Sequence, residues 1–417
     1  MIRTSVFRAC VFVSACAWAS SLTAQDARVA AATAEPAARA EASDDVAVAK
    51  GSLLGRTFSW AESKIENKSG PRDGFYPELG GLITGGGLSV GPGFRHHLFG
   101  DRAIVDVSAA MSWKRYSMVR SEIAWPKLMN DRLAVGAQFK YQDFTRINFF
   151  GIGSGSLEGQ QTDYRLKDVD ALGFATVRPN SWLSVTGRAG VLRRLDIERG
   201  TSMLVPSIEE LFDETSAPSL SRQPNYLHAD IALNADSRDV PGYPTRGGRY
   251  RMSVAAFHDQ NFTSYSFRRI EAEAAQYVPI RRSVVALRAR LDLSQTGDGQ
   301  AVPFYLLPSL GGPNSLRGYA DYRFRDRDAL MLNAEYRWPL FRAVDGAVFY
   351  DTGGVAPSAS GLTRHLRSDY GFGVRVHSAS HMVARLDLAR SREGARAIFT
   401  FTAPLSFAKA SVVPFVP

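Results

Sequence analysis

From residue 103 onward the chain alternates apolar and polar positions with a period of two. Between Ala103 and Trp113, the residues Val105, Val107, Ala109, Met111 and Trp113 share one face, and Asp106, Ser108 and Ser112 share the other. Asp131 to Tyr141 repeats the pattern, with Leu133, Val135, Ala137, Phe139 and Tyr141 set against Arg132, Gly136, Gln138 and Lys140. In Ser283 to Ser294, Val285, Leu287, Ala289, Leu291 and Leu293 oppose Arg288, Arg290, Asp292 and Ser294. In Ala329 to Trp338, Leu330, Leu332, Ala334, Tyr336 and Trp338 oppose Asn333, Glu335 and Arg337. This period puts successive side chains on opposite sides of an extended backbone, so it predicts strands with one apolar and one charged face.

The length of these strands narrows the class. Strands of soluble domains usually run about five or six residues. The runs here are about ten long, which is the length that crosses a bilayer at a tilt. Several apolar faces end in Trp or Tyr (Trp113, Tyr141, Trp338), as an aromatic girdle at a lipid interface requires. A sheet in lipid cannot leave an edge unpaired, so it closes. The expected fold is all-β: a transmembrane antiparallel β-barrel of about sixteen strands with a long loop folded into its lumen. The strands are expected near 79–85, 87–96, 102–113, 115–125, 131–143, 164–178, 182–195, 225–236, 248–258, 264–277, 283–294, 328–340, 343–352, 368–378, 381–390 and 395–404. From the fifth strand on, long links (144–163, 196–224, 295–327, 353–367) alternate with short ones (179–181, 278–282, 341–342, 379–380). Extracellular loops and periplasmic turns alternate in this way. Tight links near 259–263 and 391–394 and a longer turn at 237–247 depart from the rhythm. Within 196–224, Ser207 before Ile208-Glu209-Glu210-Leu211-Phe212 signals a short helix start.

Composition then sets the compartment. Arg3 and Arg8 flank a short apolar run, Val11 to Trp18, too short to span a bilayer as a helix. Ala17-Trp18-Ala19 and Leu22-Thr23-Ala24 suit signal peptidase, so residues 1–24 read as a secretory signal peptide cleaved after Ala19 or Ala24. Val13-Ser14-Ala15-Cys16 offers an alternative, lipidation at Cys16. Residues 25–55 are Ala-rich and read as a flexible segment, 56–407 as the barrel domain, and 408–417 as a C-terminal tail. Cys10 and Cys16 are the only cysteines, so the exported chain is expected to carry no disulfide, thiolate nucleophile or Cys-based zinc site. The net charge is +9. The basic residues are scattered rather than clustered, and the chain is exported, so nucleic acid is not an expected partner.

The search for site chemistry turns up little. His96 and His97 are adjacent and should point to opposite faces of a strand, which argues against a metal pair. Gly85-Gly86-Gly87 and Gly151-Ile152-Gly153 are not followed by helical patterns and so are not phosphate loops. Residues 151–156 hold no nucleophile elbow, and nothing links His228, His258, His365, His377 or His381 to a serine. No catalytic, cofactor or metal site is expected, and the protein is not expected to be an enzyme. The alternation places Asp106, Lys140, Arg188, Asp230, Arg249, Arg251, Glu271, Glu273, Arg288, Arg290, Asp292, Glu335, Arg337, Asp351, Arg375, Arg385 and Asp387 in the lumen. Two readings stay open for them: a wet lumen of mutually paired, solvated charges, or a set in which some clamp an inserted loop.

Six segments, in order, resemble the BamA/TamA-like bacterial surface-antigen superfamily of outer-membrane assembly and translocation barrels. Phe149-Phe150-Gly151-Ile152-Gly153 is one. Asp236-Ser237-Arg238-Asp239 with Tyr243-Pro244-Thr245-Arg246-Gly247-Gly248 resembles the turn between strands eight and nine. Leu316-Arg317-Gly318-Tyr319 resembles the inserted-loop motif, aliphatic-Arg-Gly-aromatic, between strands eleven and twelve. Glu335-Tyr336-Arg337-Trp338-Pro339-Leu340 and Phe349-Tyr350-Asp351-Thr352-Gly353-Gly354-Val355 are similar to the family's strands twelve and thirteen. Tyr370 to Arg375 with Ala384 to Ala389 is similar to its last hairpin.

The resemblance implies that Arg317 reaches into the lumen and pairs with Glu335 and Asp351, whose inward placement follows independently from alternation. Gly318 would turn the backbone where a side chain does not fit, and Tyr319 would wedge the loop against the wall. The turn residues carried over are Asp236, Arg238, Asp239, Gly247 and Gly248. Family members usually carry periplasmic POTRA modules that catch the client. The stretch from Gln25 to the first strand is shorter than one such module, so this chain is expected to be a member lacking POTRA domains. A second departure is the tail, which continues past Phe407, the candidate terminal aromatic.

The expected location is the bacterial outer membrane. The expected role is assembly, insertion or translocation of proteins or lipids there. The alternative is a passive or gated channel, or a structural barrel. Expected partners are outer-membrane lipid, nascent outer-membrane or secreted proteins, and a separate periplasmic protein in place of the missing modules.

Overall fold

The structure is a computed structural model that describes residues 73–378 and 381–401. The expected signal peptide, both cysteines, the Ala-rich segment, Phe407 and the expected C-terminal tail lie outside the described residues.

Sixteen antiparallel strands follow one another around a single sheet. They are β1 (Gly74–Gly81), β2 (Leu88–Leu98), β3 (Ala103–Ser112) and β4 (Ser117–Leu128). Next come β5 (Leu133–Phe149), β6 (Thr162–Val177), β7 (Leu183–Arg199) and β8 (Tyr226–Asp236). The third group is β9 (Gly247–Asp259), β10 (Phe267–Ile280), β11 (Ser283–Thr296) and β12 (Asp328–Phe341). The last is β13 (Val344–Ala356), β14 (Arg367–His377), β15 (Met382–Ser391) and β16 (Gly394–Phe401). Each strand pairs with its neighbours in chain order, giving a nearly closed sixteen-stranded all-β barrel. A two-residue ribbon, Ser309–Leu310 with Phe324–Arg325, lies apart within the β11–β12 loop.

The alternation produces the two faces it implies. Ile231, Leu233, Met252, Val254, Leu386, Leu388 and Phe399 are exposed on the outside. Asp230, Asp292, Asp351, Asp387, Arg188 and Arg375, from alternate positions, are buried. In water such an outer face would be unfavourable, whereas facing lipid it is the expected surface. Trp113 and Trp182 are exposed beside strand ends, and Tyr350 and Tyr370 are exposed on the outer face of β13 and β14.

Several boundaries differ from the sequence expectation. The first strand lies at Gly74–Gly81 rather than near 79–85. Residues 82–87 turn instead, with the Gly86 N–H donating to the Ile83 carbonyl at 3.0 Å. This glycine-rich stretch has no alternation to fix a register. In addition, β5, β6 and β7 run to 17, 16 and 17 residues and take up chain expected to be loop.

The extra length of these strands has a purpose. Their loop-side ends carry Phe144, Phe149, Tyr164, Leu166 and Leu192, which pack with Tyr226, Phe257, Phe267 and the loop segment Val302 to Leu307 as one apolar core. Phe304 sits edge-on to both Phe149 (5.1 Å) and Tyr164 (4.9 Å). The lumen is therefore not uniformly wet: an apolar plug fills it at the end where the long loops emerge. Ile208 joins this plug from a single 3-10 turn, Ile208–Glu210, with Ser207 at its N-cap, the short helix expected there.

Candidate functional site

The β11–β12 loop, residues 297–327, folds back against the inner faces of the late strands. Its foremost residue is Arg317, 4% exposed. The Arg317 Nε and Nη2 donate to Asp351 Oδ2 and Oδ1 at 2.7 and 2.8 Å, a two-pronged pair with a β13 carboxylate. Its Nη1 donates to Glu335 Oε2 on β12 at 2.7 Å and lies 3.7 Å from Asp387 Oδ2 on β15. The guanidinium carbon stands 3.5 Å from the ring centre of Phe349, which shares the inner face with Asp351. One planar cation thus engages three strands. Lysine, a point charge on a flexible stem, has no equivalent fork.

The acids are shared with two further arginines. Arg375 on β14 donates to Glu335 Oε2 at 2.7 Å and Oε1 at 3.2 Å, and it also pairs with Asp387. Arg385 Nε lies 3.3 Å from Asp387 Oδ2. Three guanidiniums (Arg317, Arg375, Arg385) meet three carboxylates (Glu335, Asp351, Asp387) in one network. In the dehydrated interior each charge depends on the others for compensation. Asn333 on β12 donates to both Asp351 Oδ1 and the Ser315 carbonyl at 2.9 Å, tying the network to the loop backbone.

The other side of the loop is apolar. Leu316 and Tyr319 pack with Leu310, Phe324, Ala329, Met331 and Val355. Tyr319 meets Phe324 edge-on at 5.1 Å, and its hydroxyl donates to the Ser368 carbonyl at 3.3 Å. Gly318 lies where a Cβ would come within 2.6 Å of Asp369 Cβ and 2.9 Å of Ser391 Cβ, so lack of space rather than backbone angle requires glycine here. Further anchors come from Arg288, which donates to the Asn314 carbonyl at 2.8 Å, and Arg385, which donates to Pro313 at 2.6 Å.

Nearer the outer end, Arg323 pairs with Glu393 at 3.0 Å and donates to Ser156 at 2.8 Å. Arg325, almost fully buried, donates to Tyr164 Oη at 3.0 Å and the Phe304 carbonyl at 2.9 Å. Sequence reasoning placed Arg375, Arg385 and Asp387 in the lumen but not in this network, and it missed Phe349, Asn333, Arg323 and Arg325. Phe349 and Asn333 could have been found, because each shares the inner face of its strand with a motif acid. Arg323 and Arg325 lie in loop without periodicity and gave no signal.

The turn residues form a second cluster at the opposite end. Arg238 Nε and Nη2 donate to Asp236 Oδ1 and Oδ2 at 2.9 and 2.6 Å, and Nη1 donates to the Pro241 carbonyl at 3.0 Å. Burial pushes the Asp239 carboxyl up. The Thr245 hydroxyl and the backbone N–H groups of Thr245, Val240 and Arg246 outweigh that and hold it below the usual carboxylate range. Gly247 has φ +88°, and a Cβ there would lie 2.1 Å from the Ser237 carbonyl oxygen. The Gly248 N–H donates to Ser237 Oγ at 3.1 Å.

His96 and His97 do not diverge as alternation implied. Both imidazoles reach Asp73, His96 Nδ1 at 2.8 Å, because Gly74 pairs with Arg95 and the preceding Asp73 therefore lies opposite this end of β2.

A sixteen-stranded barrel with apolar outer wall, charged inner wall and a loop held inside defines an outer-membrane-type β-barrel. Residues 98–403 match the model of the Omp85 superfamily domain, and the chain belongs to that superfamily. No curated protein matches it by sequence. Among solved structures it is similar to BamA from Haemophilus ducreyi lacking POTRA domains 1–3, with 15% identity over 79% of this chain and 71% of that one and a TM-score of 0.58. It is also similar to CdiB from Escherichia coli, with 12% identity, 80% and 63% coverage and a TM-score of 0.53. The chain thus spans under two thirds of the CdiB length. Family and fold together place the protein in the bacterial outer membrane.

Proposed function

We propose that this barrel assembles, inserts or translocates proteins or lipids at the outer membrane, with loop 297–327 clamped through Leu316, Arg317, Gly318 and Tyr319 to fix the geometry of the late strands. The observation that carries this reading is the engagement of β12, β13 and β15 by the single guanidinium of Arg317. A clamp of that kind holds the last quarter of the barrel in one arrangement, while the glycine-rich β1 end carries a smaller link in which Tyr76 and Arg95 both donate to Asp106. Nascent outer-membrane or secreted proteins are the clients, and a separate periplasmic protein delivers them.

Site-specific photo-cross-linking from β1 and β16 in cells tests this. Capture of nascent barrel proteins is the expected result, together with a drop in outer-membrane protein or lipid content on deletion. Unchanged envelope composition on deletion, with salt-dependent conductance in planar bilayers and no client adducts, would instead assign the protein to the channel class.

A further inference from the structure

The connection between β8 and β9, residues 237–246, is far longer than an antiparallel hairpin needs. About two to five residues suffice for such a turn. The surplus does not hang free. The Met382 N–H at the start of β15 donates to the Gly242 carbonyl at 3.2 Å, and Gly242 forms a parallel bridge with His381. The Tyr243 hydroxyl donates to Asp345 Oδ2 on β13 at 2.6 Å. The Tyr243 ring stacks on His377 at the end of β14, with centroids 4.4 Å apart and planes 13° apart. The Arg337 guanidinium of β12 covers the same ring at 4.5 Å and donates to the Pro244 carbonyl. His377 Nε2 in turn lies 3.4 Å from Asp345 Oδ1.

None of β12 to β15 neighbours β8 or β9 in the sheet. A segment that leaves β8, touches β12, β13, β14 and the start of β15, and returns to β9 must run across the mouth of the barrel. That mouth is the one bearing the short turns, such as 281–282 and 342–343. The strap is also stiff, because Asp239 gathers three backbone N–H groups and Arg238 closes on Asp236.

We propose that residues 237–246 are a latched strap that closes the turn-side mouth of the lumen, with Tyr243 as the latch in a socket made by Asp345, His377 and Arg337, and that unlatching opens a path for ions and small solutes. The other mouth is filled by the apolar plug, so the resting barrel is closed at both ends. This inference concerns the lumen and does not depend on client handling.

The test uses the whole exported barrel in planar bilayers, with folding checked by heat-dependent gel mobility. Tyr243→Ala is expected to raise the frequency of open events about tenfold, which corresponds to about 1.4 kcal/mol of latch energy. In the same background, an oxidised Gly242→Cys/His381→Cys pair should restore the closed baseline, and reduction should release it. A folded Tyr243→Ala barrel with wild-type conductance overturns the proposal. So does a wild-type barrel that conducts as an open pore. If Tyr243→Ala does not fold, the cysteine pair decides alone: the disulfide must form in the folded wild-type background, and failure to form it overturns the strap.

Discussion

Loop 297–327 and turn 237–246 both leave the wall and cross the lumen, but they are held by different physics. The loop is tied by a network in which Glu335 and Asp387 each meet more than one cation, Asp351 takes two prongs of Arg317, and every guanidinium meets more than one acceptor, backed by an apolar cluster around Leu316 and Tyr319. The turn is tied by one aromatic ring in a socket, the Arg337 bond to the Pro244 carbonyl and a short backbone contact. Redundant buried charge makes a permanent anchor, since losing any partner strands the others in a dehydrated site. A single ring with a few hydrogen bonds makes a fastening that thermal energy or a partner can undo. The difference assigns the loop to architecture and the turn to opening and closing.

The largest effect should follow from breaking the anchor. Arg317→Ala leaves Asp351 and Glu335 short of a buried cation, a loss of about 3–5 kcal/mol where burial is deep. Limited proteolysis should then cut within 297–327, and unchanged protection would contradict the clamp. Arg317→Lys should rescue only part of that protection, because an ammonium cannot bridge Asp351 and Glu335 in the same plane. Gly318→Ala comes next. The added methyl would press on Asp369 and Ser391, and overpacking of this sort costs about 1–3 kcal/mol. The folded barrel should lose its heat-dependent gel shift at a lower temperature, and an unshifted transition would show that the loop has room there.

On the turn side the expected effects are smaller. Tyr243→Phe keeps the ring in its socket and removes only the bond to Asp345, so its effect should be smaller than that of Tyr243→Ala. Amide exchange should rise at Met382, whose N–H donates to the Gly242 carbonyl, while loop 297–327 stays protected. Parallel loss in both regions would mean that the two are one cooperative unit. The smallest effect is the titration of Asp239. Its contribution to the turn is present above the unfolded value of about 3.9 and is lost as pH falls through its lower folded value. Its carboxyl resonance should therefore titrate below that of an unstructured aspartate, and a midpoint at or above that value would remove the turn's internal staple.

Much of the barrel could be read from the chain. Alternation in segments such as Ser283 to Ser294 fixes which side chains face lipid and which face the lumen, because a pleated backbone permits no other arrangement. It also put Glu335 and Asp351 on the inner wall, and the aliphatic-Arg-Gly-aromatic segment marked the loop that reaches them. The clamp was legible only as far as its motif extends. The cross-links from Arg375 and Arg385 lie on strands whose relative height depends on register, and the plug around Phe304 depends on strands longer than the bilayer requires.

The sequence alone determined the kind of surface each strand presents, the strand count and the compartment, since these follow from local period, length and composition. Tertiary structure decided which charges meet, how far β5 to β7 rise to hold the plug, and where turn 237–246 goes. Tyr243 and Asp345 lie 102 residues apart, and no local preference of either residue encodes their contact. Closing the sheet brings the β8–β9 end within reach of β12 to β15, and only that closure makes a socket for the ring.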